Sequence, residues 1–501
     1  MSKSFAQSEK SAIDTSIFNK WPFVRSTAFN DDGSYILYIR DNIFGKGRTL
    51  VVQSSRDKWK IEYSGVANAG FVGNGKLVVF RTITDSLIIL QLGAEDMGYS
   101  IPDVVESRLP ESEEGDWVAY RTRSSKQELI LHHLFTREEK RFSAVIDYQF
   151  NKQGSAIVLQ CELKRNPNLV YSLQWVHLSD NKIQEIGDGA KASFFSFDTS
   201  GNRLLFIKQF QKDSLSDNSI WYYQDGMKKA IAYVNNQSPG IDSDLAIANS
   251  IAQFSQGGDQ VFFRLQPKEM HEKKSIDNIQ VDVWSYMDVK VQSQQLLEVN
   301  SLISYMAVIN SSNNNVIRLE QEDEKLFKFN SDNNNHFALV IHSRGQFVEF
   351  SWNRAAQPFV YLLSTKTGER KLLRGHLKTD AEYLALSPGG RWVIYYDQAR
   401  KNYFSYETAT GTWRNITKCI PTNWIRDEAD IPGLDPASLT WRPWQKTWIA
   451  NDSLVLIYDN YDIWQIDPSC THPPVNITNY YGRVHHIEFK ILFEESSLEN
   501  M

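Results

Sequence analysis

Hydrophobic and polar positions follow a repeating pattern along the chain. Each copy begins with an aromatic residue or leucine, continues with a small polar turn, and ends with about five strand-forming residues. The turn glycines of the clear copies are Gly33, Gly75, Gly115, Gly154, Gly201, Gly258 and Gly390, and Asp452 marks a degenerate last copy. The first four intervals are 42, 40, 39 and 47 residues. A period of about 40–45 residues with short strands predicts four-stranded propeller blades.

Further strands can be assigned within the modules. In the first module, Thr49–Gln53 and Lys58–Glu62 follow the strand Tyr35–Ile39. In the sixth, Val281–Tyr286 precedes Gln295–Glu298. A single blade cannot cover both of its faces, whereas blades stacked in a ring bury them against each other. The sequence therefore predicts an all-β protein, a β-propeller of four-stranded antiparallel blades.

The number of blades follows less directly from the spacing. The interval from Gly258 to Gly390 is 132 residues, or about three units of 44. We expect eight blades, with seven to nine possible.

Residues 21–490 are predicted to form a single propeller domain, 1–20 a disordered or signal-remnant N-terminus, and 491–501 a polar tail. The Pro- and Trp-rich segment 416–446 breaks the period and is either a long inter-blade insertion or a closing connection.

Composition narrows the possible partners and compartments. The chain has 501 residues with 13% aromatic side chains and a net charge of −6, which argues against a disordered chain and against nucleic acid as the main partner. No run of 18 apolar residues occurs, so no membrane span is predicted.

The three cysteines are far apart without a CxxC pair, which indicates neither a disulfide framework nor a zinc finger. No cofactor or metal is expected. Ser4–Gln7 is either a frayed polar start or the end of a signal peptide.

Candidate catalytic and binding residues are few. The sequence contains no G-x-S-x-G nucleophile turn, and the closest segment, Gly98–Pro102, is predicted to be a loop. The pairs His132–His133 and His485–His486 are predicted to be surface or strand residues, because strand neighbours point to opposite faces. The acidic run with Glu320, Glu322 and Glu324 offers candidates for binding a peptide amine or a cation at the propeller mouth. A solvated charged turn is the simpler interpretation of that run.

Several phrases resemble known propeller families. Gly375-His376 followed by Leu386–Tyr396 is similar to WD and TolB repeats, but the closing Trp-Asp dipeptide is missing at Tyr403–Tyr406. The chain resembles the N-terminal β-propeller of bacterial prolyl oligopeptidase family serine peptidases, the dipeptidyl-peptidase-like branch. The supporting phrases are Trp21–Val24, Phe29–Tyr35, Val281–Tyr286, Leu386–Trp392, Asp462–Pro468 and Pro474–Tyr480.

This resemblance implies a lid on an α/β-hydrolase domain that carries a Ser-Asp-His triad. Such a lid restricts entry to short peptides, and the family implies a periplasmic or extracellular location. The sequence ends at Met501, about where the hydrolase would begin, so no residue here takes a triad role. We expect a non-catalytic, substrate-gating portion of a peptidase, with a peptide substrate and a hydrolase domain or another protein as partners.

Two alternatives stay open from sequence. One is an autonomous TolB-like or WD-like scaffold for protein–protein interaction. The other is a propeller enzyme, a lyase or glycosidase with paired carboxylates in its channel. An exposed apolar face on one side of the ring would favour a docked hydrolase over a free scaffold.

Overall fold

A computed structural model describes most of the chain. The described residues are 22–42, 47–94, 98–165, 168–212, 215–268, 285, 291–297, 303–312, 314–322, 324–328, 336–342, 359–374, 384–397, 400–422, 424, 447–449 and 451–489. The predicted segments 1–20 and 491–501 lie outside them. The proposed domain bounds therefore remain a prediction.

The described strands form nine antiparallel sheets, each built from consecutive strands in sequence order. Sheets one to three are β1 (Pro22–Phe29), β2 (Tyr35–Asn42), β3 (Thr49–Ser54) and β4 (Lys60–Ser64); β5 (Val66–Val72), β6 (Leu77–Thr82), β7 (Leu87–Gln91) and β8 (Tyr99–Ile101); and β9 (Val104–Arg108), β10 (Trp117–Thr122), β11 (Ser125–His133) and β12 (Glu139–Phe142). Sheets four to six are β13 (Val145–Phe150), β14 (Ala156–Arg165), β15 (Asn168–His177) and β16 (Ile183–Gly189); β17 (Ala192–Phe197), β18 (Arg203–Lys212), β19 (Leu215–Gln224) and β20 (Ile231–Val234); and β21 (Leu245–Ile247), β22 (Gln253–Phe254), β23 (Gln260–Pro267), β24 (Tyr305–Asn310) and β25 (Val316–Arg318).

Sheets seven to nine complete the series. They are β26 (Glu324–Lys328), β27 (Phe337–His342), β28 (Phe359–Ser364) and β29 (Arg370–Arg374); β30 (Leu384–Leu386), β31 (Trp392–Asp397), β32 (Asn402–Glu407) and β33 (Trp413–Asn415); and β34 (Thr447–Ile449), β35 (Leu454–Tyr458), β36 (Ile463–Ile466) and β37 (Val475–Asn476). Two short helices are α1 (Gln292–Leu297) and α2 (Tyr481–His485). In the sixth sheet the first strand is split into β21 and β22, which both pair with β23.

The prediction of an all-β propeller with four-stranded antiparallel blades is confirmed. Nine sheets are the upper end of the predicted range and one more than the preferred eight. Among the described residues, the interval from Gly258 to Gly390 holds one additional sheet rather than two, so its division into three units is wrong. The described strands in this interval are separated by as many as 37 residues (268–304) and 16 residues (343–358).

One predicted strand is wrong and another lies outside the described residues. Gln295–Glu298 was expected to be a strand, but Gln292–Leu297 forms α1. A short apolar run such as Leu296–Leu297 fits a helix as well as a strand, and periodicity alone cannot separate the two. Of Val281–Tyr286, only Ser285 is described.

Hydrophobic cores join the sheets in sequence order. Eight clusters of buried side chains lie between consecutive sheets, from the first to the ninth. Between the fourth and fifth sheets, the Trp175 ring lies 5.1 Å from Tyr223 and 5.6 Å from Phe197. Within the described residues no strand of the first sheet joins the ninth. The sheets are therefore held by side-chain packing between neighbours rather than by a shared strand.

The repeated turn motif has a local physical cause. A small polar side chain at the start of the turn accepts a hydrogen bond from the backbone N–H five residues later. The pairs are Asn30 with Tyr35 (2.8 Å), Asn151 with Ala156 (3.0 Å), Asp198 with Arg203 (3.0 Å), Ser255 with Gln260 (3.1 Å) and Ser387 with Trp392 (2.9 Å). Gly201 in such a turn has a φ of 70°, which explains the preference for glycine there.

These turns also bond to the corresponding turn of the next sheet. Asn30 Nδ2 donates to Gly75 O at 3.3 Å, and Asn151 Nδ2 donates to Gly201 O at 3.2 Å. Arg203 Nη1 donates to the carbonyl oxygen of Gly258 at 2.8 Å. The first-to-second strand turns thus lie side by side on one face. We call it the turn face, and the opposite face, where second-to-third strand hairpins and sheet-to-sheet connections lie, the connection face.

Removing one of these bridging side chains should weaken the fold. Asn151→Ala deletes the bonds to Ala156 and Gly201 and leaves buried backbone groups without partners, so we expect a loss of about 1–3 kcal/mol in unfolding free energy. The exposed neighbour substitution Lys152→Ala should stay within about 0.5 kcal/mol. Urea unfolding measures both. Equal stability of the two variants would contradict the bridging role of Asn151.

Candidate functional site

The two faces differ sharply in the length of their connections. On the turn face, no connection between described strands exceeds eight residues. The longest intervals between described strands are 37 residues (268–304), 16 residues (343–358) and 31 residues (416–446), and the strands that flank them end on the connection face. The interval 416–446 lies between β33 of the eighth sheet and β34 of the ninth. Because long loops on a rigid scaffold carry most binding functions, the connection face is the candidate functional surface.

Two central hairpins add to the connection face. The strands β14 and β15 are ten residues each and pair along their whole length, from Ala156–His177 to Arg165–Asn168. The strands β18 and β19 are also ten residues each and pair in the same way. Their neighbours in the first three sheets are mostly five to eight residues long. The fourth and fifth sheets therefore extend further toward the connection face.

Several charged side chains on or near this face form ion pairs. Asp41 lies 3.4 Å from Arg25 and 3.5 Å from Arg48 at the connection-face ends of β1 to β3. In the third sheet, Arg121 lies 3.2 Å from Glu106. Arg108 reaches the next sheet and contacts Asp147 at 3.2 Å. Paired charges give a polar surface without a strong field of one sign, as interfaces between domains commonly have.

The three acidic candidates lie on the connection face between the sixth and seventh sheets. Glu320 follows β25, is buried, and accepts a hydrogen bond from Met306 N at 2.7 Å. The side chain of Glu324 is 4% exposed and pairs with Arg370 at 3.2 Å. Glu322 is exposed in the turn between them. Two of the three carboxylates are thus engaged by the protein, and a substrate-binding role of this run stays a prediction.

In this acidic run the Glu324 carboxylate is paired within the protein, whereas Glu322 is exposed. Glu324→Gln weakens the charged pair with Arg370, so we expect a loss of about 1–3 kcal/mol in unfolding free energy. Glu322→Gln should change stability by less than about 0.5 kcal/mol. Thermal unfolding measures both variants. If Glu324→Gln unfolds like the wild type, the Glu324–Arg370 pair does not support the fold.

A groove of about 460 Å³ lies on the turn face between the eighth and ninth sheets. Its walls come from two first-to-second strand turns and from the turn at residues 467–473. The lining residues are Arg391, Trp392, Ser453, Leu454, Gln465, Asp467, Ser469, Thr471, His472, Pro473 and Val475. The floor combines aromatic and aliphatic surface with a few polar groups, which suits binding of a small or extended ligand.

The groove contains the residue types of a catalytic triad but not its geometry. Ser469 Oγ donates to Asp467 at 2.5 Å, and His472 Nδ1 lies 3.0 Å from the same carboxylate. Burial alone would raise the pKa of Asp467, but the hydrogen bonds from Ser469, Thr471 and His472 outweigh it and hold the pKa below its usual range. The serine therefore bonds to the acid rather than to the histidine. The carboxylate organises a turn and does not activate a nucleophile.

The remaining sequence candidates are structural. Gly98–Pro102 is not a loop as predicted, because Tyr99–Ile101 forms β8, the fourth strand of the second sheet. No helix follows it, so Ser100 is not on a nucleophile turn.

The adjacent histidines of the third sheet point apart, as predicted. His132 is buried, with Nε2 2.8 Å from Tyr99 Oη. His133 Nδ1 accepts a hydrogen bond from Thr136 N at 3.1 Å in the next turn. At the end of the chain, His485 lies in α2 with its ring 4.1 Å from that of Tyr481. Across the residues that the structure covers, no three His, Cys, Asp or Glu side chains converge as metal ligands.

The cysteines show a proximity that their spacing did not indicate. Cys161 is buried, and burial raises the pKa of its thiol to about 11. Cys419 and Cys470 are both exposed. Cys470 Sγ lies 3.7 Å from Asn415 O, close to the segment that carries Cys419. None of the helices described is long and apolar enough to cross a membrane.

No protein-family description matches the chain, and no curated protein matches it. Among solved structures, it is similar to the β-propeller domain of the trilobed protease from Pyrococcus furiosus, described as having an open velcro topology. That match has 9% identity and a TM-score of 0.34, and covers 71% of this chain and 98% of that one.

Two further solved structures show the range of similar proteins. A match to prolyl endopeptidases has 9% identity and a TM-score of 0.36, over 77% of this chain and 55% of that one. A match to a eukaryotic initiation factor has 10% identity and a TM-score of 0.40, and covers 78% of this chain and 88% of that one. The similar structures thus include peptidase propellers. At these values they assign neither a family nor an activity to this chain.

Proposed function

We propose that this chain is the non-catalytic, substrate-gating propeller of a prolyl-oligopeptidase-type serine peptidase that acts on short peptides. The observation that carries the proposal is the difference between the two faces. On one face the described strands are joined by short turns that bond from sheet to sheet, and on the other face end the strands that flank all three long intervals. The catalytic unit would dock on the connection face. By the same resemblance, the proposal includes a periplasmic or extracellular location.

A binding role fits the chemistry of the described residues better than a catalytic one. The sequence has no G-x-S-x-G segment. The one serine, histidine and aspartate group in the groove is arranged as a turn. The paired charges on the connection face suit a polar interface with a second folded unit, because interfaces between domains are more polar than obligate ones. Selectivity for peptide length would come from the rigid scaffold and not from a reacting group.

The first test asks whether the chain itself is a serine hydrolase. The purified chain is treated with a fluorophosphonate probe, which labels activated serines, and is assayed with a short proline-containing peptide. We expect neither labelling nor hydrolysis. Labelling of a serine in this chain would overturn the non-catalytic assignment.

The second test locates the catalytic partner. The tagged chain is cross-linked in cells that produce it, after labelling with the same probe. We expect a probe-labelled serine hydrolase cross-linked to connection-face residues, whether it lies on the same polypeptide or on another. Cross-links only to proteins that the probe does not label would contradict the gating proposal and favour the scaffold alternative.

A further inference from the structure

The three cysteines divide into one buried and two exposed residues. Cys161 lies in the core between the third and fourth sheets, where its raised pKa makes it unreactive. Cys419 and Cys470 are the two exposed thiols of the chain and are 51 residues apart. They belong to segments of different sheets, the first after β33 and the second after β36.

The turn that carries Cys470 packs against the eighth sheet. Ser405 Oγ in β32 donates to Pro468 O at 2.6 Å. Two residues later, Cys470 Sγ lies 3.7 Å from Asn415 O, the last residue of β33. Cys419 follows in the next turn of the same segment, where Ile420 N donates to Thr417 O at 3.0 Å. The Cys470 thiol thus lies against the segment that presents Cys419.

The electrostatics of Cys470 agree with this placement. Burial, and then the Asp467 carboxylate, raise the pKa of the Cys470 thiol, and Cys419 adds a smaller effect in the same direction. An effect between two thiols requires that they lie near each other, because the interaction falls with distance and is screened by solvent.

We propose that Cys419 and Cys470 form an intramolecular disulfide that joins the eighth sheet to the ninth under oxidising conditions. A disulfide needs Cα atoms within about 7 Å of each other, and the contact of Cys470 Sγ with Asn415 O lies four residues before Cys419. Such a bond suits a protein outside the reducing cytosol, although the inference does not depend on the proposed peptidase role.

The chemistry needs a small-molecule disulfide such as oxidised glutathione as the oxidant. The Cys419 thiolate attacks one glutathione sulfur, a mixed disulfide forms, and one glutathione thiolate leaves. The Cys470 thiolate then attacks the Cys419 sulfur and releases the second glutathione. The two cysteine protons end on the two glutathione thiols, so one protein disulfide forms for each glutathione disulfide reduced. The raised pKa of the Cys470 thiol lowers the fraction of Cys470 that is present as thiolate.

The disulfide would hold one wall of the groove on the turn face in place. Residues 467–473 form one wall of that groove, and Cys470 lies within this wall. Tethering Cys470 to the segment after β33 would fix the wall relative to the eighth sheet. It would also close the chain between 419 and 470, which should raise the Tm.

The test is a thiol map of the intact chain before and after equilibration with oxidised glutathione. Alkylation followed by non-reducing peptide mapping should show that the number of reactive exposed thiols falls from two to none. A Cys419–Cys470 linked peptide should appear, no disulfide-linked dimer should form, and dithiothreitol should restore both thiols. The Cys161→Ser control should behave like the wild type.

Single variants separate this bond from general thiol reactivity. Cys419→Ser should leave Cys470 free or as a glutathione adduct and should abolish the rise in Tm on oxidation. Cys419→Ser and the matching Cys470→Ser replace exposed residues, and circular dichroism verifies that both variants fold. The proposal fails if oxidised wild type carries only glutathione adducts, if its cross-links join two chains, or if both thiols stay alkylatable.

Discussion

Replacing Arg483 with alanine is expected to lower the unfolding free energy by about 3–5 kcal/mol. Arg483 in α2 bridges two aspartates of the ninth sheet. Its Nε lies 2.8 Å from Asp462 Oδ2, and its Nη2 contacts Asp459. The aspartate side chains are 1% and 0% exposed. Without the guanidinium, two buried carboxylates lose their cationic partner, so α2 should detach from the ninth sheet.

The cluster of Arg483, Asp459 and Asp462 makes the unfolding free energy depend on pH in the acid range. Burial alone would raise the pKa of Asp462, but hydrogen bonds from Arg483, Thr478 and Gly482 lower it below its usual value. A lowered folded pKa contributes stability above the unfolded pKa of about 3.9 and loses it as pH falls through the folded value. The cost of Arg483→Ala should therefore shrink at acid pH, because protonated aspartates need no partner.

Urea unfolding at neutral pH and at about pH 3 measures this dependence. The matched control is Arg400→Ala, because Arg400 is 59% exposed and lies 3.7 Å from Asp397. That exposed pair should contribute less than about 1 kcal/mol. Equal losses for the two arginines, or a cost of Arg483→Ala that grows as pH falls, would contradict the buried bridge.

Replacing Trp175 with alanine is expected to cost about 3–5 kcal/mol, as for other fully buried tryptophans. The residue is 1% exposed and fills the seam between the fourth and fifth sheets against Tyr223 and Phe197. Its removal leaves a cavity between two sheets that share no strand. Because each sheet contacts only its neighbours, the damage should stay local.

Hydrogen exchange tests whether the loss of stability in Trp175→Ala is confined to the sheets around Trp175. In Trp175→Ala, backbone protection should fall first in β14 to β19 and much less in the first and ninth sheets. The control Ile183→Ala, at a 53% exposed position of the same sheet, should stay within about 0.5 kcal/mol. Uniform loss of protection across all nine sheets would show that the seams unfold as one unit.

Most of the fold could be predicted because its repeat is local. The polar side chain and glycine of each turn act through hydrogen bonds within five residues, so the sequence displays them directly. The position of the seventh sheet could not be assigned from the repeat, because residues 329–336 between β26 and β27 contain no glycine. Phe329 and the Asn-rich run before Phe337 were the available signal, since asparagine also tolerates turn conformations.

The candidate sites were predicted less well because they depend on packing between sheets. The acidic run did form a turn, with Glu322 exposed, but the partners of Glu320 and Glu324 come from other strands. The proximity of Cys470 to the segment of Cys419 arises where the ninth sheet meets the eighth. Sequence spacing carries no information about such contacts, since the residues are 51 positions apart.

Selectivity for substrate length tests whether the connection face gates a peptidase. Two hairpins are shortened, with residues 164–169 and 211–216 each replaced by Asn-Gly, a two-residue hairpin turn. The retained pairs Leu163–Val170 and Phe210–Asp217 flank the new turns. The control Asp180→Ala alters an exposed side chain on the turn face.

Hydrolysis of a short proline-containing peptide and of unfolded casein is compared in cells that produce each form with its hydrolase. We expect wild type and control to cleave the short peptide and spare casein, whereas the shortened form should cleave both. Unchanged length selectivity in a shortened form that folds and still binds the hydrolase would show that these hairpins do not gate the peptidase.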